Sequence, residues 1–259
     1  MKDYSPSVAP IVKGDRFNLN QCHKNDFEWE QMKNIPYAFV VGSLMYAQVC
    51  TRPDIAFAVG ILGRYQSNPC MDDWKAAKKV LRYLKGTKYY MLMYRQMDNL
   101  DVIGYSDSNF AGCVDSRKST SGYMFMMADG AISWRSTKQT LVATSTMEAE
   151  FVSCFEATSH GVCLKSFISG IRIMDSISKS LNIFCDNSAV VFMAKNNRSG
   201  SRSKHIDIKY LAIRERVKDK IVVINHISID LMIVDPLTKG MPPIKFKDHV
   251  ENMGLGSSL

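Results

Sequence analysis

Four acidic residues, Asp107, Glu150, Asp186 and Asp235, stand where secondary-structure elements begin or end. Asp107 follows the stretch Val102-Ile103-Gly104-Tyr105-Ser106, which reads as a strand, and Asp186 follows a second one, Leu181–Cys185. Glu150 falls in the first turns of a helix, and Asp235 precedes Pro236 at the start of another. If the two strands are neighbours, the four carboxylates converge on one patch. Packed carboxylates repel one another unless cations neutralise them. Hard oxygen donors in such a cluster suit Mg²⁺ or Mn²⁺. Two such ions, roughly 3.5–4 Å apart, can hold a phosphodiester between an attacking water and a leaving oxygen. Each residue also has a plainer role open to it. Ser106-Asp107-Ser108-Asn109 is turn-rich, Asp186-Asn187-Ser188 can cap a helix, Asp235-Pro236 is an ordinary helix start, and Glu150 can be solvated.

The elements that must carry these residues fall in two groups. From residue 36 to 95 the chain is helical. Pro36–Ala47 and Asp54–Val59 are apolar enough to be buried, and Pro53 suits a helix start. Across Asp72–Lys85, Ala77, Val80, Leu81 and Leu84 share one face while most lysines lie elsewhere, and Gly86-Thr87 ends the helix. Strands begin after Leu100. Tyr123–Met127 and Ala131–Trp134 follow the first, joined by Ala128-Asp129-Gly130, a hairpin signal. Ser145-Thr146-Met147-Glu148 has the form of a capping box, and Phe151, Cys154, Phe155, Thr158 and Val162 continue at helical spacing. After the fourth strand come a short helix over Ala189–Ala194, a basic loop, a helix presenting Ile206, Tyr210, Ile213 and Val217, and a fifth strand over Ile221–Ile227. A last helix is expected near Pro236. The order β-β-β-α-β-α-α-β-α predicts an α/β protein with a mixed sheet and flanking helices.

Composition bounds the rest. With 46% hydrophobic and 22% charged residues in 259, the chain is globular rather than disordered. No run is apolar and long enough to span a membrane, and the start lacks the pattern of a secretory signal. The seven cysteines are odd in number and form no Cys-x-x-Cys pair, so neither a zinc site nor a disulfide framework is expected, and a reduced intracellular protein is the simplest reading. The net charge of +8 favours a polyanionic partner. Residues 195–220 alone hold nine Lys/Arg against three Asp/Glu. Such a run is a solvated face or a phosphate grip.

The residues around the acids carry a resemblance. Tyr105-Ser106-Asp107-Ser108-Asn109-Phe110-Ala111-Gly112, Arg117-Lys118-Ser119-Thr120-Ser121-Gly122-Tyr123 and Ser133-Trp134-Arg135-Ser136 come first in order. Ser145–Phe151, Cys185-Asp186-Asn187-Ser188-Ala189, Ser203–Tyr210 and Asp235-Pro236-Leu237-Thr238-Lys239-Gly240 follow. Together they resemble the ribonuclease H domain of copia-type LTR retrotransposon Pol polyproteins, plant elements being nearest in style. Upstream, Val41–Tyr46, Thr51–Ala56 and Val80–Thr87 resemble the segment that joins reverse transcriptase to that domain. Asn109, Cys163, Asp73 and Asn225 depart from the family's common residues.

The resemblance implies a ribonuclease H-like mixed five-stranded sheet with flanking helices, preceded by a small helical segment. It divides the chain into a polar arm (1–35), a helical reverse transcriptase connection remnant (36–98), a ribonuclease H-like domain (99–240) and a C-terminal tail (241–259). It implies that Asp107, Glu150 (not Glu148), Asp186 and Asp235 bind two Mg²⁺ or Mn²⁺ ions and cut the RNA strand of an RNA/DNA hybrid. His226, nine residues before Asp235, is a candidate for proton transfer or an ordinary strand-end histidine. Lys195, Arg198, Arg202, Lys204 and His205 are candidates for gripping the hybrid's backbone, although His205 equally suits a helix start. The absence of Tyr-x-Asp-Asp, protease and integrase motifs fits the C-terminal piece of a polyprotein, whose reverse transcriptase part is an expected partner. The expected location is intracellular, in a cytoplasmic virus-like particle or the nucleus. The contrasting reading is a catalytically inactive remnant that still binds nucleic acid.

Overall fold

A computed structural model describes residues 5–15, 17–21, 26–97, 100–171, 179–196 and 204–257, with backbone alone at 20, 26–28 and 204–207. The first part is helical: α1 (Asp26–Lys33), α2 (Tyr37–Cys50), α3 (Ala56–Arg64) and α4 (Met71–Gly86), followed by a short strand, β1 (Tyr90–Leu92). Between α2 and α3, buried Arg52 pairs with Asp54 at 2.7 Å, while the Tyr83 and Thr87 hydroxyls of the α4 end bond Asp54 (2.6 Å) and Arg52 (2.7 Å). A buried pair satisfied on both sides in this way holds the α2–α3 corner against α4.

The second part is the expected mixed five-stranded sheet. Its strands are β2 (Ile103–Asn109), β3 (Thr120–Met127), β4 (Gly130–Lys138), β5 (Leu181–Cys185) and β6 (Val222–His226), in the order β4-β3-β2-β5-β6. The first three are antiparallel and β5 and β6 run parallel to β2. The crossovers are α5 (Thr146–Ile171), and then α6 (Ser188–Lys195) with α7 (Lys204–Lys218). Side chains alternate along a strand, so β3 feeds two cores. Tyr123 and Phe125 pack with Phe151, Cys154, Ile183, Ile213 and Ile224 under α5–α7, while Met124 and Met126 pack on the opposite face with Ala56, Met232, Val234 and Leu237. The β3–β4 turn has Ala128 and Asp129 both at positive φ, 55° and 60°, which is the twist a two-residue hairpin needs.

Three differences from the sequence reading bear on the site and the core. The first strand runs to Asn109, so Asp107 lies inside it, because Asp107 pairs with Gly122 and Asn109 with Thr120. Near Pro236 there is only a 3₁₀ turn, Asp235–Leu237, and the last helix, α8, spans Pro243–Asn252. Pro242 and Pro243 lack N–H groups and disfavour helix before them, so no helix crosses from 236 into α8. Finally, the 241–259 stretch holds α8 and β7 (Leu255–Ser257), which pairs antiparallel with β1. Met241, Phe246, Val250 and Leu255 are buried in the same core as Tyr37, Leu62, Val80 and Tyr83. Ala9 and Ile11, within the stretch expected as a polar arm, join that core too.

Candidate active site

The parallel β2–β5 ladder sets Ser106 opposite Cys185, so the next residues, Asp107 within β2 and Asp186 just past β5, lie side by side. Glu150 arrives from the start of α5. There Ser145 Oγ accepts the Glu148 N–H (3.2 Å), and Glu148 Oε2 accepts both the N–H and the hydroxyl of Thr144 (2.7 Å each). Glu148 is thereby occupied as a cap. Two residues on, Glu150 turns inward and its Oε1 accepts the Ser108 N–H at 3.1 Å. Ser153, one turn later, donates to the Asp107 carbonyl (2.7 Å) and fastens α5 to β2. Asp235 begins the 3₁₀ turn, and that turn also supplies Thr238, whose hydroxyl donates to Asp107 Oδ2.

The structure therefore brings the four acids together. Asp107, Glu150 and Asp235 are buried and Asp186 is half-buried. Burial pushes the Asp107 carboxyl up to about 7, with the Asp235 and Asp186 charges adding to the rise and Lys239 and Thr238 opposing it. Burial, then Asp107 and Asp186, push Glu150 up to about 9. Burial, aided by Asp235, also raises Asp186 against the pull of Lys239. Each shift has the same main cause: burial disfavours the ionised carboxylates, and their mutual repulsion adds to it.

The donor set fits a hard divalent cation. Glu150 Oε2 is buried and accepts no hydrogen bond among the described residues. One oxygen each of Glu150 and Asp186 and the Cys185 sulfur all lie within 4.8 Å of one another. Burial raises the Cys185 thiol well above its ordinary value and keeps it protonated, so the oxygens are the fitting ligands.

Sequence reasoning missed Lys239 as a member of this site. Its ammonium lies 2.9 Å from Asp235 Oδ1 and 3.6 Å from Asp107 Oδ2. Burial pulls Lys239 down, but Asp107, Asp235 and Asp186 outweigh it and hold the ammonium above its ordinary value. The four-residue spacing from Asp235 was the available signal, and it is legible only once a turn is known there.

His226, ending β6 opposite Cys185, is exposed, with Nε2 3.1 Å from the Asp186 carbonyl oxygen. Lys195 is exposed at the end of α6. Lys204 and His205 open α7, described by backbone alone, and Arg198 and Arg202 lie outside the described residues. No helix among the described residues is long and apolar enough to cross a membrane.

No protein-family model matches the chain. Among curated proteins, the retrovirus-related Pol polyprotein from transposon TNT 1-94 of Nicotiana tabacum is 38% identical over 258 residues, all of this chain but 19% of that protein. The corresponding polyprotein from transposon RE2 of Arabidopsis thaliana is 34% identical over 96% of this chain and 17% of its own length. A secreted RxLR effector protein of Plasmopara viticola is 49% identical over 51% of this chain and 94% of its own. An RNase H1 solved with an RNA/DNA hybrid overlaps 53% of this chain and 94% of that one, at 17% identity and a TM-score of 0.39.

Proposed function

Because the chain belongs to the retrovirus-related Pol polyproteins of plant transposons, of which it spans less than a fifth, we propose that it is their metal-dependent endoribonuclease, cutting the RNA strand of RNA/DNA hybrids. The observation that carries this reading is the cluster of four carboxylates, three of them buried, in which Glu150 Oε2 has no hydrogen-bond partner among the described residues.

Asp107, Glu150, Asp186 and Asp235 would hold two Mg²⁺ or Mn²⁺ ions. When bound, such ions activate water and neutralise the charge that develops on the leaving oxygen. The chain's own groups do the positioning. The Ser108 N–H fixes one oxygen of Glu150 and leaves the other toward the site. The Thr238 hydroxyl orients Asp107. His226, exposed with its Nε2 3.1 Å from the Asp186 carbonyl oxygen, would assist proton transfer in this reading. The basic run holding Lys195, Arg198, Arg202, Lys204 and His205 grips phosphates on the hybrid, and such contacts carry little base information. Residues 99–240 form the hydrolytic unit in this reading. Residues 36–98 adjoin the reverse transcriptase part of the same polyprotein, in a virus-like particle or the nucleus.

The test is a cleavage assay on a labelled hybrid with and without Mg²⁺. Cutting of the RNA strand alone, only with the ion, is expected. Asp107→Asn and Asp186→Asn should each lose several orders of magnitude in rate, and full activity in both would sink the assignment. Salt-sensitive hybrid binding without any cutting would identify an inactive remnant instead.

A further inference from the structure

We propose that Lys239 is the resident cation of the acidic cluster and that divalent ions load by displacing it. The inference rests on the metal reading of the cluster given above. The Lys239 ammonium sits between two of the four carboxylates, 2.9 Å from Asp235 Oδ1 and 3.6 Å from Asp107 Oδ2. Its backbone is fixed there, because the Lys239 N–H donates to the Asp235 carbonyl at 3.1 Å. The turn that supplies the acid thus also supplies its counter-ion.

A dication held by these carboxylates and the Lys239 ammonium draw on the same two acids and repel each other at such range. Loading is therefore opposed while the lysine stays, and favoured once it swings away. The side chain has somewhere to go. It is 37% exposed and lines a cleft of about 370 Å³ with Lys13, Arg64 and Asn109, so it can swing out without moving the core. Lys239 stabilises the metal-free fold and sets the ion affinity by competition. By linkage, whatever the lysine contributes to the empty site is subtracted from the binding of the ion.

Calorimetric titration of MgCl₂ and MnCl₂ into the full chain tests this, with melting curves in EDTA alongside. Lys239→Met should bind the ions on the order of tenfold more tightly than the parent. It should also melt about 2–4 °C lower in EDTA. Lys239→Arg, which keeps the charge, should stay near the parent in both. If the parent binds ions and the Met variant binds them no more tightly, the displacement is wrong while the metal site stands. If the parent takes up no ion, the metal reading falls and the displacement falls with it. A readout without any variant is reductive methylation of the parent followed by mass spectrometry. Lys239 should label faster in MgCl₂ than in EDTA, and equal labelling would overturn the proposal even if the Met variant does not fold.

Discussion

At the scale of single residues, the acids have opposite effects on stability and function. The Asp107 carboxyl is held up to about 7 and Glu150 to about 9, chiefly by burial. An unfolded carboxyl loses its proton near pH 4 (about 3.9–4.3). Between that pH and the folded value, the native state binds protons that the unfolded state has released, so stability falls as pH rises. Without metal, the melting temperature should therefore decline from about pH 4 through 7 for Asp107 and on toward 9 for Glu150. Asp107→Asn should flatten the lower part of that decline in EDTA, and an unchanged slope would show that Asp107 is not held protonated. Glu148 and Glu150, two residues apart, should separate cleanly. Glu148→Ala removes the acceptor of two Thr144 bonds and should cost about 0.5–2 kcal/mol while cleavage persists. Glu150→Gln should abolish cleavage with little change in melting temperature below about pH 9, since it replaces a carboxyl held protonated there by a neutral amide of the same shape.

At the scale of elements, the site depends on how closely the Asp235 turn approaches the sheet. Gly122 on β3 makes that approach possible. A Cβ there would stand 2.6 Å from Thr238 Cγ2, 3.0 Å from Val234 Cγ1 and 3.2 Å from Leu237 Cβ. Gly122→Ala should push the turn outward, costing about 1–3 kcal/mol by overpacking. Because Asp235, Thr238 and Lys239 ride on that turn, the same variant should also weaken Mg²⁺ binding. Paired denaturant melts and ion titrations check both effects, and loss of stability with intact ion binding would show that the turn does not position the site.

Over the whole molecule, the two ends of the chain share a core. Met241, Phe246, Val250 and Leu255 pack with residues from Ala9 to Tyr83, and β7 pairs with β1. The helical segment also grips the sheet and its β2–β3 loop directly. Trp134 Nε1 donates to the Gln48 carbonyl (3.0 Å), Arg64 donates to the Thr120 hydroxyl (3.1 Å) and the Tyr65 hydroxyl to Asp115 (2.9 Å). Residues 99–259 produced alone should therefore aggregate or melt well below the full chain, because apolar surface that the helices cover becomes exposed. Size-exclusion chromatography and thermal melts of the two forms decide this, and an equally stable monomeric fragment would contradict it.

The family resemblance singled out the four acids, and the amino-acid sequence alone marked the five strands of the main sheet to within a few residues, the hairpin and the α5 cap. Each rests on local signals: alternation at Tyr123–Met127, turn residues at Ala128-Asp129, and Ser145 three residues before Glu148. Tertiary structure decided what depends on residues far apart. Asp107 lies within β2 because Gly122 pairs with it. Met241, Phe246, Val250 and Leu255 are buried because the first helices pack over them. Lys239 belongs to the site because the turn after Asp235 folds back against β2 and β3. None of these could be read from one segment, since a ladder bond, a buried face or an ion pair exists only once its distant partner has arrived.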